Sequence, residues 1–383
     1  MPLSSEMEKK KLLVIPHFPP LPHVLVRGEA LALGLAKDFD VLLLSWSYDP
    51  LEERSPPRRY ASRLSGLLRR RRVRRKGGIR IVETPLLYAR RLDSAPVRWL
   101  NTRIVRGVVE RFGVEFVLNE LSLVNCADLR RPYFIDIVDL PSERDMRQWR
   151  RQAEGARGLV TVTHGVREEL LKSGLDAEVI GNGADVERLR NADAAAVRRR
   201  HGLEGRFVIA YIGNHAEWSG LQFLLDVFKR LRTRIREATL LIVGPGSEIA
   251  GAKEKRDRER IEEVRFTGPV DVSEVAGYFA AADMGVLPFE QDPHAGLSFP
   301  IKVVEYSAAR KVVVATPLRV LQEIGLSNVV LAERRVDTWA DAIEKNRNTR
   351  WRPEWDGEIA EYDWRRLSAR LSAFIRSGLA LRT

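Results

Sequence analysis

The chain has 383 residues, of which 44% are apolar and 30% are charged, and its formal net charge is +12. This length suits two domains of ordinary size, and the composition excludes a fibrous or wholly disordered protein. The single cysteine, Cys126, excludes an intrachain disulfide and a thiolate metal cluster, and no apolar run reaches the roughly 18 residues that a membrane-spanning helix needs. The polar opening residues do not have the pattern of a secretory signal, so we expect a cytoplasmic protein.

Alternating strand and helix patterns make up the first half of the chain. An apolar run at 11–16 ends at a proline, a helical pattern follows over 27–36, and a second apolar run covers 40–45. This order is typical of the beginning of a parallel sheet. Further strands are predicted at residues 79–83, 115–118, 133–137, 158–163 and 178–181. The pattern therefore predicts one Rossmann-like domain over residues 1–190.

Positive charge is concentrated between Arg58 and Lys76, a segment with nine arginines, one lysine and no acidic residue. The rest of the chain is nearly neutral, which indicates one face or loop for an anionic partner. If the segment is helical, Leu64, Leu67 and Leu68 share a stripe, as in an interfacial helix on anionic lipid at the inner membrane face. A solvated loop is the alternative. Nucleic acid is not expected, because aromatic residues are not interleaved with the arginines.

The strand and helix pattern restarts at residue 207, after a polar stretch over 191–204. Strands are predicted at residues 207–213, 239–243, 264–267, 285–288 and 312–315, with helices at 221–232 and 272–282. The pattern predicts a second Rossmann-like domain over 205–362, which faces the first across a cleft. One more helix, within 363–383, is expected to pack back on the first domain.

The segment from Gly296 to Glu305 has the pattern of an anion site. A loop with Gly296 and Ser298 leads into a helix whose start is indicated by Pro300, since proline is tolerated in the first helical turn. The backbone N–H groups there, together with the helix dipole, suit a diphosphate. Lys302 lies in the first turn. Glu305 follows one turn later on the same face, where its carboxylate can accept hydrogen bonds from the vicinal hydroxyls of a ribose.

Three motifs carry a resemblance to a known family. Residues 298–308, SFPIKVVEYSA, resemble the S-P-x-K-x-x-E-Y-M-A segment of GT-B glycosyltransferases, in particular the retaining glycosyltransferase family four. Residues 182–185, NGAD, resemble the P-N-G-V-D of that family, and residues 266–288 resemble its F-x-G-x-V and A-D-x-x-x-x-P run. The matches follow the order of the family and cover most of the second half. The first half matches only in its rhythm of strands and helices.

The resemblance implies the transfer of a sugar, with retention, from a nucleotide-diphosphate donor such as a UDP- or GDP-sugar. No other cofactor is implied, and no metal, because no cluster of residues has metal-ligand spacing. In this interpretation Glu305 holds the ribose, while Lys302 and the loop at Gly296, Leu297 and Ser298 face the diphosphate or the sugar. The remaining residues expected at the cleft are Gly213 and Asn214 at its border, Val270 near the base, and Asp139 as a first-domain group near the reacting sugar.

Two positions of the second half depart from the pattern of the family, and residues 18–22, FPPLP, replace the glycine pair that is common after its first strand. Leu297 stands where the family has an acidic residue, and Ser219 stands where it often has a basic residue before a glycine. A catalytically silent nucleotide-sugar-binding or scaffold protein of the same fold is therefore an open alternative. A nucleic-acid binder that uses residues 58–76 is a third.

Overall fold

The computed structural model describes residues 9–20, 25–46, 72–87, 94–139, 143–290 and 298–380. These residues form two α/β units, each with a central, largely parallel sheet, so the predicted fold class is confirmed. Their apolar runs lie in the sheets, because strands that are covered by helices on both faces read as nearly continuous apolar segments.

The first sheet contains eight strands among the described residues. They are β1 (Lys11–Ile15), β2 (Asp40–Ser45), β3 (Val73–Lys76), β4 (Ile79–Glu83), β5 (Phe116–Asn119), β6 (Tyr133–Ile137), β7 (Leu159–Thr161) and β8 (Glu178–Val179). Their order across the sheet is β3-β4-β2-β1-β5-β6-β7-β8. The chain changes direction across the sheet between β1 and β5, and the loops that follow these two strands therefore border one crevice.

Helices cover both faces of the first sheet. Helix α1 (Arg27–Leu35) packs on one face, while α2 (Ala95–Phe112), α3 (Glu143–Ala153) and α4 (His164–Leu171) lie on the chain connections that follow. Side chains of a strand alternate between the faces, so Leu12 joins the core on the α1 side and Leu13 joins the core on the α2 side.

The end of the basic segment is a strand, so neither the helix nor the solvated loop that the sequence left open describes these residues. Val73–Lys76 pairs antiparallel with β4 at the edge of the sheet, and all four residues are exposed. Lys76 Nζ lies 2.7 Å from Oε1 of the buried Glu29. The strand has no buried face, which is why its sequence has no apolar alternation. The leucines of the predicted stripe, and the arginines before residue 72, lie outside the described residues.

The second sheet follows two short helices, α5 (Val186–Arg190) and α6 (Ala195–His201). Its strands are β9 (Phe207–Ile212), β10 (Ala238–Val243), β11 (Val264–Gly268), β12 (Met284–Leu287), β13 (Val312–Ala315) and β14 (Val329–Leu331). They are parallel, in the order β11-β10-β9-β12-β13-β14. The chain changes direction between β9 and β12, which is where doubly wound sheets bind ligands.

Helices enclose the core of the second sheet. They are α7 (Leu221–Arg232), α8 (Ile249–Arg258), α9 (Val272–Ala281), α10 (Ile301–Ala308), α11 (Arg319–Ile324), α12 (Val336–Asn346) and α13 (Trp355–Ala360). The amphipathic α7 buries Leu224, Leu225 and Phe228 and packs beside α12. Trp339 of α12 is fully buried, and its indole N–H donates to the Ala332 carbonyl at 3.1 Å.

The last helix, α14 (Trp364–Ala380), packs against α1. The approach is close, because a Cβ placed on Gly34 of α1 would lie 2.1 Å from Ser368 Oγ. The chain reaches α14 through Asp363, which pairs in parallel with Ala184. The division into residues 1–190, 205–362 and 363–383 stays a prediction from the sequence.

Candidate functional site

The crevice at the carboxyl ends of β9 and β12 holds several of the predicted donor residues. Gly213 and Asn214 directly follow β9, and Asn214 is exposed. Residues 288–300 connect β12 to α10, and of these the structure describes 288–290 and 298–300. Gly296 and Leu297 lie outside the described residues, so their predicted roles stay predictions.

Helix α10 begins at Ile301, with Pro300 as its N-cap, one residue later than the sequence pattern places the first turn. Phe299 is buried, and a Cβ on Gly181 would lie 3.1 Å from its ring, so the approach to the helix is held at the junction of the two units. The first turn of a helix leaves N–H groups without partners inside the helix, and these favour an anion.

Lys302 and Glu305 lie on one face of α10 and contact each other. Lys302 Nζ is 2.6 Å from Glu305 Oε2, and the two side chains are 23% and 20% exposed. The ammonium group also lies 5.5 Å from the centre of the Phe279 ring. A Cβ on Gly213 would be 3.9 Å from Lys302 Cγ and Cε, so the lysine stem runs beside the end of β9. The pair is thus partly exposed at the crevice. A ligand that binds there would contact both side chains or break the ion pair between them.

Tyr306 anchors this helix, a function that the sequence reasoning missed. Its hydroxyl donates to the Ala210 carbonyl at 2.7 Å and accepts from the Ile212 N–H at 3.0 Å, so it fills the gap where β9 and β12 diverge. A Cβ on Gly285 would lie 2.6 Å from the Tyr306 ring. Burial raises the pKa of Tyr306 well above its ordinary value. The tyrosine after Glu305 in the motif was the available signal.

His215 holds the loop after β9 against β10. Its ring is buried, and Nε2 lies 3.1 Å from the Val243 carbonyl. Burial lowers the pKa of His215 to about 4. The imidazole is therefore neutral near pH 7 and contributes no positive charge to the crevice.

Ser298 and Asp139 contact each other across the two units. Ser298 Oγ donates to Asp139 Oδ1 at 3.4 Å, and both residues are exposed. Asp139 follows β6 of the first sheet, so the contact brings a first-domain carboxylate to the loop that precedes α10. Val270 lies farther from the crevice than Ser298 and Asp139. It follows β11, two strands from β9, and packs partly buried on the core of the second unit.

A buried charge network lies at the corresponding crevice of the first sheet, and sequence reasoning did not find it. Arg27 donates through its guanidinium to the Asp136 carboxylate, the Ile180 and Gly181 carbonyls and the Asn182 side chain, at 2.7–3.3 Å. These bonds use all five N–H groups of the arginine. Glu120, which follows β5, is also buried.

Glu120 has no share in the hydrogen bonds of Arg27. Its Oε2 accepts the His17 N–H at 2.8 Å, whereas Oε1 is buried without a hydrogen-bond partner. Burial, with the nearby Asp136 carboxylate, raises the pKa of Glu120 to about 8. The carboxyl is therefore largely protonated at neutral pH. Burial likewise raises the pKa of Asp136, although Arg27 opposes this shift.

Neither a metal cluster nor a membrane-spanning helix is present in the part of the chain that the structure describes. Within those residues, histidines, cysteines and carboxylates do not gather into a group that could hold a metal ion. Within the same ranges, no helix combines the length and the apolar character needed to cross a membrane.

Comparison with known proteins finds a family match for part of the second unit. Residues 206–346 match the family model described as glycosyl transferases group 1. An alpha-D-kanosaminyltransferase of Streptomyces kanamyceticus is 25% identical over 212 residues, which are 51% of this chain and 52% of the relative. A GDP-mannose-dependent alpha-(1-6)-phosphatidylinositol monomannoside mannosyltransferase of Mycobacterium tuberculosis is 28% identical over 222 residues, 54% of this chain and 57% of the relative. The chain thus spans about half the length of the curated relatives it matches.

Solved structures extend the likeness to both units. Sucrose-phosphate synthase from Thermosynechococcus elongatus has a TM-score of 0.76 at 16% identity and covers 97% of this chain and 100% of its own. Anabaena Alr3699/HepE, solved with UDP and glucose, has a TM-score of 0.70 at 14% identity and covers 96% of this chain and 100% of its own. Such low identity supports the fold alone. Together, these findings show the GT-B fold for both units and a match to the group 1 glycosyltransferases over residues 206–346.

Proposed function

We propose that this protein transfers a sugar, with retention of configuration, from a nucleotide-diphosphate donor to an acceptor. The observation that carries the proposal is the position of Lys302. Its partly exposed ammonium group lies in the first turn of α10, beside the end of β9, at the point where the second sheet changes direction. A cation and a helix N-terminus at this point suit a diphosphate leaving group.

The other predicted residues have matching roles in this proposal. Glu305 accepts hydrogen bonds from the ribose hydroxyls once the donor diphosphate draws Lys302 away from it. Gly213 and Asn214 border the donor, and the loop at Gly296, Leu297 and Ser298 faces the diphosphate or sugar. Asp139 approaches the same place from the first domain through its 3.4 Å contact with Ser298. Val270 retains its proposed position near the base.

Binding and turnover measurements test the proposal. Isothermal titration with UDP, GDP and ADP is expected to show saturable binding of at least one of them. The corresponding nucleotide sugars are then expected to release the nucleoside diphosphate when acceptors are added. Absence of binding by all three diphosphates contradicts the proposal, whereas binding without turnover on any saccharide or lipid acceptor favours the silent scaffold.

We further propose that the protein is cytoplasmic and binds the anionic inner membrane face through the segment between Arg58 and Lys76. The described end of that segment supports this, because Arg74 and Arg75 are exposed on the edge strand β3. A lipid-linked acceptor is consistent with such a location, since the M. tuberculosis relative is named for a phosphatidylinositol monomannoside substrate.

Vesicle sedimentation tests the membrane proposal. The double variant Arg74→Gln/Arg75→Gln is expected to bind phosphatidylglycerol-containing vesicles about tenfold or more weakly, because each basic residue near an anionic surface contributes about 1 kcal/mol. The control double variant Arg199→Gln/Arg350→Gln removes two exposed arginines elsewhere and is expected to bind as the wild type does. Equal binding to pure phosphatidylcholine vesicles, or equal loss in both variants, argues against a lipid-binding face.

A further inference from the structure

The loops at the carboxyl edge of the second sheet carry very little positive charge. In sequence, the segments that directly follow its six strands contain only two basic residues other than histidine, Arg334 and Arg335, both after β14. These segments are residues 213–220, 244–248, 269–271, 288–300, 316–318 and 332–335. Lys302 and Arg319 stand at the starts of the helices that follow, but Arg319 is paired with Glu168 and Glu323. These loops therefore offer a diphosphate few cations of their own.

Arg334 lies beside the loop between β9 and α7, which contains no lysine or arginine. The Arg334 guanidinium lies close to Gly220 at the end of that loop, since a Cβ on Gly220 would be 3.5 Å from Nη2. The same Cβ would be 1.8 Å from the Pro288 carbonyl, so the loop also packs tightly on the end of β12. At the start of the loop, Gly213 has the Lys302 side chain as its neighbour. The loop is thus flanked by Lys302 at one end and by Arg334 at the other.

The present partner of Arg334 is a carboxylate that a ligand can replace. Arg334 Nη2 lies 2.7 Å from Glu290 Oε1, and the side chains are 28% and 50% exposed. The guanidinium stacks 4.6 Å from the centre of the Phe223 ring, which fixes its plane. Its Nε is buried without a hydrogen-bond partner. Glu290 begins the loop that leads to Ser298 and α10, and its N–H donates to the Trp218 carbonyl at 2.9 Å. This backbone bond joins the two loops that border the crevice, and the ion pair attaches Arg334 to them.

We propose that Arg334 is a second diphosphate-binding residue, which exchanges its ion pair with Glu290 for the β-phosphate of the donor. This inference rests on the proposed function. The loop at 213–220 has no lysine or arginine of its own. Arg334, which follows the different strand β14, would supply the missing positive charge. A planar guanidinium held by an aromatic ring is well suited to grip a phosphate through two parallel hydrogen bonds.

Titrations that vary the number of phosphates test this assignment. UDP and GDP, with UMP and GMP as the matched ligands that lack a β-phosphate, are titrated into the wild type and into Arg334→Gln, Glu290→Gln and the double variant. Arg334→Gln is expected to weaken the binding of the diphosphate about 10- to 100-fold and to leave the binding of the monophosphate nearly unchanged. Glu290→Gln is expected to strengthen the binding of the diphosphate, because it removes the competing carboxylate. The double variant is expected to match Arg334→Gln.

The controls separate this inference from the proposed function. Arg335→Gln removes the same charge from the same loop, at an exposed position, and is expected to bind as the wild type does. If neither UDP nor GDP binds the wild type, the proposed function fails and this assignment fails with it. If one binds the wild type but Arg334→Gln, correctly folded, binds it equally well, only the assignment to Arg334 is overturned. If Arg334→Gln does not fold, the Glu290→Gln variant provides the test. An unchanged diphosphate affinity in that variant argues against the assignment to Arg334.

Discussion

Replacing Arg27 with methionine is expected to lower the free energy of unfolding by about 3–5 kcal/mol, the usual effect of removing one partner of a buried ion pair. The guanidinium is 4% exposed and its Asp136 partner is fully buried, so the variant leaves a carboxylate and two strand-end carbonyls without their donor. Urea denaturation at neutral pH measures the change. Arg80→Met is the matched control, because Arg80 pairs with Asp40 at 2.7 Å with both side chains partly exposed. Its cost is expected to be about 1 kcal/mol or less. Similar losses in the two variants argue against the network.

The cost of losing Arg27 should also depend on pH. The pKa of Glu120 in the folded protein is about 8, against an ordinary value of 4.5. The folded state therefore retains a proton that the unfolded chain releases over this range, so the contribution of Glu120 to stability is complete below the lower value and is lost as the pH rises through the upper one. Arg27 opposes this loss because its charge favours the carboxylate. We expect the variant to go on losing stability as the pH rises above about 8, where the loss in the wild type levels off. Parallel pH profiles would contradict that expectation.

Replacing Lys302 with glutamine is expected to reduce kcat/KM for sugar transfer by about 10²- to 10³-fold, the range for removing one group that stabilises charge developing in a transition state. The loss should fall mainly on kcat, because the negative charge on the departing diphosphate grows as the bond to the sugar breaks. Steady-state kinetics with the nucleotide sugar identified by the binding panel measures the effect.

Lys345→Gln is the matched control for this measurement. It removes the same charge from an exposed position in the last turn of α12, and activity is expected to stay at the wild-type level. Circular dichroism of Lys302→Gln should show an intact fold, since only the contact with Glu305 and the stacking on Phe279 are lost. Full activity in Lys302→Gln would show that Lys302 has no role at the donor site.

The strands and helices predicted from the sequence were those with a strong apolar pattern. Strand β6 and helix α7 begin and end at the predicted residues. Strand β3 was not predicted, because its exposed residues have no alternation of apolar and polar positions and its pairing depends on β4. Helix α6 was predicted as part of a polar linker. Its buried residue is Val197, so its sequence has no apolar face that would indicate a helix.

The two parts of the site differed in how far local sequence could reveal them. Lys302 and Glu305 are three residues apart on one helix, so their contact follows from helical spacing. The partners of Arg27 lie 109 to 155 residues away along the chain. Only the parallel order of the strands brings them to one crevice, and no motif near Arg27 contains that information. Arg334 is likewise close to Gly220 only in the folded sheet.

The pairing between Ala184 and Asp363 has a consequence for movement between the two units. The chain crosses from one unit to the other at Ala184 and returns at Asp363, and the two crossings are joined by hydrogen bonds from Ala184 N–H to the Tyr362 carbonyl at 2.9 Å and from Trp364 N–H to the Ala184 carbonyl at 3.1 Å. We expect two crossings fastened side by side to act as a double hinge, which permits rotation about the line through them and resists sliding or twisting. Opening and closing of the cleft between the two units would then follow a single rotation.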